Sequence, residues 1–490
     1  MLVQELGFEQ GASCPNTFRH AARGLTCAVH GDDFTTCGGK QDLDWLEKEI
    51  GQRYEITLGP RLGPGVSDAK EAVLLNRVVR WCEGAIEWEA DPRQTERLVA
   101  DCGLEQSRPV TTPGVRSSFQ ELEEEKDLEP RLHSAFRGAA ARGNYLSQDR
   151  VDAHFACKEV CRWMSKPTDR SWQALKRLCR YLAGKPRLVY RFPKQKVQCI
   201  DVYTDTDWAG CPRTRKSTSG GCVMVGGHIV KHWSSTQPGV SLSSGEAEYI
   251  GVVRGAAQGL GFQALLRDLG LEVPMRLWTD SSAAMGIAGR QGLGKLRHLD
   301  THTLWVQQAV RTGRFELRKI PGESNPADLL TKHSQTAERL SKLVALFGAE
   351  FRGGRAQSAP QLRRTEGAKT TMADGDLEYG DTLAVNAQGE NDEPFMPHMA
   401  MTIGEMDEKF PAMKVQDEDL FMEPDQDSND TVFMTGMAEA ARIEEQTRRC
   451  GRTRYEGMTR VKIQSTEKGS AATQPPTAGI SQVMRSSAIA

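Results

Sequence analysis

The chain has 490 residues, room for roughly three domains at about 150 residues each, and its net charge of −2 excludes a general electrostatic pull toward nucleic acid. Apolar residues make up 38% and aromatic residues 7%; no run approaches the roughly 18 apolar residues of a membrane span, and no signal peptide is evident, so a soluble intracellular chain is expected. The twelve cysteines form no CxxC pair, which points to buried thiols in a reducing compartment rather than to zinc or disulfides.

Residues 1–115 read as globular. LTCAVHGDDFTTCGG is strand, tight turn, strand, with the turn at Gly31-Asp32-Asp33, where Gly and Asp accept unusual backbone angles. DLDWLEKEIGQRYEI follows as an amphipathic helix with Leu43, Leu46 and Ile50 on one side. Residues 116–135 carry ELEEEKDLE, a solvated charge run that reads as a linker. Residues 136–196 read as helical. In SWQALKRLCRYLAG the apolar stripe is Trp172, Leu175, Leu178, Cys179 and Leu182, with Gly184 as the closing cap.

Residues 197–345 carry the strongest α/β signal. QCIDVYTD is a strand, and GCVMVGG and HIVKHWSS form a hairpin across Gly226-Gly227. A helix runs from Ser243 to about Leu269. PMRLWTD is a strand, SSAAMGIAG a short helix, HLDTHTLWVQQAVRTG a helix, RFELRKI a strand, and NPADLLTK opens a last helix. The order β-β-β-α-β-α-α-β-α implies a mixed sheet flanked by helices. From 346 to 490 the pattern stops, and a mostly disordered acidic and polar tail is expected.

Four carboxylates stand out in this α/β region: Asp205 in YTDTDWAG, Glu248 in LSSGEAEYIG, Asp280 in LWTDSSAAM and Asp328 in NPADLLTK. Each is paired with a local signal for a strand end or a helix start. Asp201, Tyr203, Asp205 and Asp207 alternate along one face of their strand, so a carboxylate at its end can reach outside the sheet. Each also has a plain structural explanation. Asp280 is a good helix N-cap, and Asp328 stands three residues after Asn325, where negative charge favours the helix dipole. Ser243 and Glu246 fit a capping box, which leaves Glu248 for other work. Together, in this order, the four suit hydrolysis of a phosphodiester by two divalent cations, which stabilise the attacking and leaving oxygens. Mg²⁺ fits hard oxygen ligands and shares substrate phosphates, with Mn²⁺ as substitute. Lys295, Arg297 and His298 in GKLRHLD, with Trp208 and Trp233, are candidates for positioning phosphates and sugars.

DTDWAG, STSGG (217–221), LSSGEAEYI, the strand-end Asp280, RHLDTH and NPADLLTK resemble, in this order, the ribonuclease H domain of Copia-type retrotransposon polyproteins. Upstream, NYLSQDRVDAHFA and SKPTDRSWQALKRLCRYLAG resemble that family's segment between polymerase and ribonuclease H. VHGDDF (29–34) resembles the two-aspartate hairpin of its reverse-transcriptase palm. The resemblance implies a ribonuclease H-like fold at 197–345, preceded by a partial palm at 1–115 and a connection region at 116–196. It further implies Mg²⁺-dependent cleavage of the RNA strand in an RNA/DNA hybrid. The metal-binding roles fall on the positions matching Asp205, Glu248, Asp280 and Asp328. RNA/DNA hybrid and other retroelement Pol products are the partners it implies, in cytoplasm or nucleus.

Two departures bear on activity. The third palm carboxylate and the fingers have no counterpart in this sequence, so Asp32 and Asp33 are read as a residual polymerase motif and polymerisation by this chain alone is not expected. The family's lysines in the loop after Trp233 are replaced by SSTQPG. The competing expectation is a catalytically silent relic that binds nucleic acid or protein.

Overall fold

The computed structural model describes residues 2–362, apart from 4, 118, 334 and 335, together with 457–467. The chain is a mixed α/β protein built on three sheets among these residues. The first sheet has the order β1 (Glu9–Gln10), β2 (Thr17–His20), β3 (Leu25–His30), β4 (Asp33–Gly38), β16 (Gly457–Glu467) and β5 (Tyr54–Leu58). The β3–β4 hairpin pairs His30 with Asp33, and Gly31 takes the left-handed conformation that the turn demands. Helix α1 (Lys40–Arg53) buries Leu43, Leu46 and Ile50 against Leu25, Cys27 and Val461, as its apolar spacing predicts.

Strand β16 lies antiparallel to both of its neighbours, far from either in sequence. One of its faces puts Val461 into the α1 core, and Thr459 donates to Glu47 of α1 at 2.7 Å. The other carries Arg460, which clasps the Asp33 carboxylate, and Lys462, 3.4 Å from Asp32. Asp33 is 8% exposed, and Arg460 supplies the partner that a buried carboxylate needs. Arg460→Ala should lower the stability read from a urea midpoint by about 1–3 kcal/mol, the cost of leaving a buried charged acceptor unsatisfied. Adding Asp33→Asn should recover part of the loss. An unchanged midpoint in the single variant would remove the ion pair from the account.

The second sheet has the order β15 (Ala349–Arg352), β9 (Arg187–Pro193), β8 (Ala85–Glu89), β7 (Arg77–Cys82) and β6 (Glu71–Leu74), antiparallel throughout. Against it pack α2 (Pro92–Asp101), α4 (His133–Ser147), α5 (Val151–Cys161) and α6 (Asp169–Gly184), whose predicted stripe is buried in full. Gly184 is the last residue of α6 rather than a left-handed cap; Lys185 caps the helix, its N–H bonded to the Leu182 and Tyr181 carbonyls.

The acidic run at 116–135 is not simply solvated. After α3 (Phe119–Glu123), the side chain of Glu125 is buried, accepts from the Thr168 hydroxyl and pairs with Arg213, while Leu128 N donates to Pro167 O at 3.0 Å. A charge run beside a basic loop and a helix N-terminus finds partners that composition cannot reveal. Of the stretch from 346 onward, 349–352 and 457–467 are strands; 363–456 and 468–490 lie outside the described residues, and with them most of the expected tail.

The third sheet has the order β12 (His228–Thr236), β11 (Thr218–Val225), β10 (Ile200–Asp207), β13 (Met275–Thr279) and β14 (Glu316–Lys319). The first three strands are antiparallel, and β13 and β14 run parallel to β10. Helices α7 (Ser244–Asp268), α8 (Ser282–Ala288) and α9 (Trp305–Arg311) follow the expected order. NPADLLTK does not open an α-helix: Pro326–Leu330 is one short 3₁₀ turn, and α10 (Ala337–Leu346) comes later.

This sheet is joined to α5 by buried polar contacts. His154 Nδ1 on α5 lies 2.7 Å from His232 Nδ1 on β12, and His232 Nε2 lies 3.0 Å from Gln148 O. Burial keeps both rings neutral, pulling His154 well below the ordinary histidine range and His232 down to about 4. Lys158 on the same helix donates to Thr218 Oγ1 at 2.7 Å.

Candidate active site

Asp205, Glu248 and Asp280 meet at one edge of the third sheet. One carboxylate oxygen from each lies within 4.8 Å of the others, the one such grouping of possible metal ligands among the described residues. Asp205 sits near the end of β10, where the strand's alternation turns it toward the edge. Glu248 is on the first turns of α7, whose N-cap Ser243 accepts from Glu246 N. Asp280 follows β13 directly. The N-cap of α8 is Ser281, which accepts from Ala284 N, so Asp280 is released from the capping role open to it in the sequence.

The electrostatics are those of a cluster waiting for positive charge. Burial raises the Glu248 carboxyl to about 8, and the charges of Asp205 and Asp280 add to the rise. Burial, then Asp205, also raises Asp280. Glu248 Oε2 is buried without a hydrogen-bond partner. Three hard oxygens, two of them on destabilised carboxylates and one orphaned, fit a divalent cation such as Mg²⁺.

Asp328 stands apart from this triad. Lys332 Nζ is 2.6 Å from one of its oxygens and Arg339 3.0 Å from the other. Lys332 also lies 3.6 Å from Asp205 Oδ2, so its ammonium links the fourth carboxylate to the first. Lys332 and its neighbour Thr331, whose hydroxyl donates to Asp205, are site residues that the sequence did not single out. The i,i+4 spacing of Asp328 and Lys332 was the available signal for the lysine. No local signal marked the threonine.

The capping box at Ser243 forms on one side only. Glu246 Oε2 accepts from Leu242 N at 2.8 Å instead of from the cap residue, and lies 2.9 Å from His298 Nε2. That contact ties the GKLRH loop to the start of α7. Lys295, Arg297 and His298 are exposed. Trp208 is 47% exposed, its indole N–H bonded to Ser241 O at 3.0 Å, whereas Trp233 is buried in the core. Asp33 opens β4 of the first sheet and Asp32 lies in the turn before it; neither joins a metal-ligand group among the described residues.

No protein-family model matches the chain. The retrovirus-related Pol polyprotein from transposon RE2 of Arabidopsis thaliana is 30% identical over 244 residues, covering 49% of this chain and 17% of its own length. The chain thus spans a small part of that relative. An uncharacterized mitochondrial protein of the same plant, AtMg00810, is 31% identical over 166 residues, 34% of this chain and 68% of its own. Among solved structures, the N-terminal RNase H domain of Rv2228c from Mycobacterium tuberculosis, a fusion with maltose-binding protein, is 17% identical with a TM-score of 0.20. That likeness covers 30% of this chain and 97% of that one. The motifs in their order, the strands that carry them and the sequence relatives agree: over about half its length the chain is similar to the retrovirus-related Pol polyproteins of Copia-type transposons.

Proposed function

We propose that the chain is a retroelement-derived ribonuclease H, and that residues 197–345 carry a ribonuclease H-like domain that cuts the RNA strand of RNA/DNA hybrids. The observation that carries this reading is the meeting of Asp205, Glu248 and Asp280 from three separate sequence blocks. The 3-2-1-4-5 strand order, with a carboxylate at the ends of the two adjacent central strands, supports it. In this reading Asp205, Glu248 and Asp280 hold two Mg²⁺ ions, with Asp328 completing the set; Mn²⁺ substitutes. Bound metal supplies an activated water and neutralises charge on the phosphate.

The protein's own residues do the rest. Mutual repulsion among the three crowded carboxylates raises cation affinity. Lys332 and Arg339 hold Asp328 beside the site. Lys295 and Arg297, exposed on their loop, contact backbone phosphates without reading sequence. Preference for RNA rests on 2′-hydroxyl contacts and hybrid shape. Polymerisation is no part of the proposal, because Asp32 and Asp33 are engaged by Lys462 and Arg460.

The test is cleavage of an end-labelled RNA/DNA hybrid by the full chain, in Mg²⁺ and then in Mn²⁺. The full chain is used because α5 and β12 share the buried histidine pair. The expected result is metal-dependent cutting of the RNA strand with the DNA strand intact. A folded chain that binds hybrid and cuts it in neither metal would replace this reading with that of a silent binding module.

A further inference from the structure

We infer that Thr331 is a positioning residue for the metal site, holding the Asp205 carboxylate in one rotational setting from behind; the inference rests on the ribonuclease H reading above. Thr331 is fully buried, and its hydroxyl donates to Asp205 Oδ2 across 126 residues of sequence. The Thr331 hydroxyl oxygen also lies 3.3 Å from Asp328 O. A hydroxyl has one proton, and the carboxylate, as the charged acceptor, takes it. Lys332 approaches the same Asp205 oxygen, at 3.6 Å. Both contacts therefore fall on Oδ2, and the carboxylate is gripped on one side only.

The rest of the motif is built to hold that hydroxyl in place. Asn325, fully buried, donates from its side chain to Thr204 O at 2.9 Å and accepts from Ala327 N at 3.1 Å. This pins the 3₁₀ turn to the residue just before Asp205. On the other side stands Gly220, directly opposite Asp205 in the β10–β11 ladder. A Cβ there would lie 2.7 Å from Thr331 Cγ2 and 2.9 Å from the Leu330 carbonyl carbon, so the turn can seat itself only against a glycine. The STSGG and NPADLLTK segments, far apart in sequence, are thus two halves of one seat. A threonine in this place supplies a donor with no net charge. It can fix a carboxylate without cancelling the negative potential that a cation needs.

The test compares the full chain with Thr331→Val, Thr331→Ser and Gly220→Ala, reading Mg²⁺ binding by calorimetry, hybrid cleavage as kcat and KM, and the far-UV circular dichroism spectrum. Valine keeps the shape and removes the donor. Thr331→Val is expected to weaken Mg²⁺ binding and lower kcat by roughly 10- to 100-fold, the scale on which groups supporting metal ligands act, with KM for the hybrid unchanged. Thr331→Ser should restore both to within about threefold, because the donor returns. Gly220→Ala should weaken Mg²⁺ binding while the hydroxyl is still present, by lifting the turn from its seat. Thr331→Val binding Mg²⁺ as the wild type does would overturn the inference. So would Thr331→Ser failing as valine fails, which would assign the effect to the methyl packing. If Thr331→Val does not fold, the serine and Gly220→Ala results decide. A wild-type chain that takes up no Mg²⁺ would overturn the metal-site reading itself, and this inference with it.

Discussion

Asp280→Asn is expected to abolish measurable hybrid cleavage while the protein stays folded. The amide is close in size to the carboxylate, and the α8 N-cap is the neighbouring Ser281, so helix and strand keep their own bonds. What is lost is one of the three carboxylate oxygens within 4.8 Å of each other. A single preorganised electrostatic group is worth on the order of 100- to 1000-fold in rate, and a metal ligand belongs at the upper end of that range. The loss should appear in kcat with an unchanged circular dichroism spectrum. Cleavage within about threefold of wild type would remove Asp280 from the chemistry. Inactivity accompanied by unfolding would leave the residue a structural one.

The second large effect concerns the metal-free protein. Glu248 is held at about 8 in the fold against an ordinary value of 4.5, so the folded state keeps its proton where the unfolded chain has lost it. For an acid raised in this way the favourable contribution is complete below about pH 4.5 and is lost as the pH climbs toward 8. In a chelator, stability should therefore decline across that window. Glu248→Gln, which carries no titrating proton, should be more stable than wild type at pH 8 by a few kcal/mol, since a tenfold difference in proton affinity between the folded and unfolded states is worth about 1.4 kcal/mol. Mg²⁺ should narrow the gap by stabilising the wild type alone. Thermal melts at pH 5 and pH 8, with and without Mg²⁺, give all four comparisons. Parallel pH profiles for the two proteins would exclude Glu248 as the strained group.

The third sheet was legible in the sequence because its signals are local. Alternation marks β10, Gly226-Gly227 marks the hairpin, and a serine N-cap marks α7. Order alone then predicts a mixed sheet. The carboxylates were legible for a related reason: each stands at an element boundary, where side chains escape the sheet. Asp328 was harder. Its block reads as a helix start, since Asn325 does cap the next turn, but the turn is 3₁₀ and its carboxylate is taken by Lys332 and Arg339. No spacing rule reports a partner eleven residues on in a different helix. The same limit hid the docking of Glu125 on Arg213 and the burial of Thr331 behind Asp205. It also hid the second sheet, whose strands come from 71–89, 187–193 and 349–352 and meet only by long-range pairing. Strand β16 is the extreme case: MTRVKI alternates weakly, and nothing near it in the sequence forecasts that both flanking strands lie before residue 59.

That strand has a consequence for the order of events on the ribosome. Residues 9–58 emerge long before residues 457–467, yet the sheet they build has a place that this later segment fills. Loop-closure cost delays such distant pairings, and domains released early in synthesis fold as units only if all their parts are present. Residues 9–58 must therefore wait, with Asp33 not yet clasped by Arg460, until residues 457–467 have been made. A stalled ribosome or a premature stop after the third sheet would release a protein whose cluster of Asp205, Glu248 and Asp280 is complete and whose N-terminal sheet is one strand short.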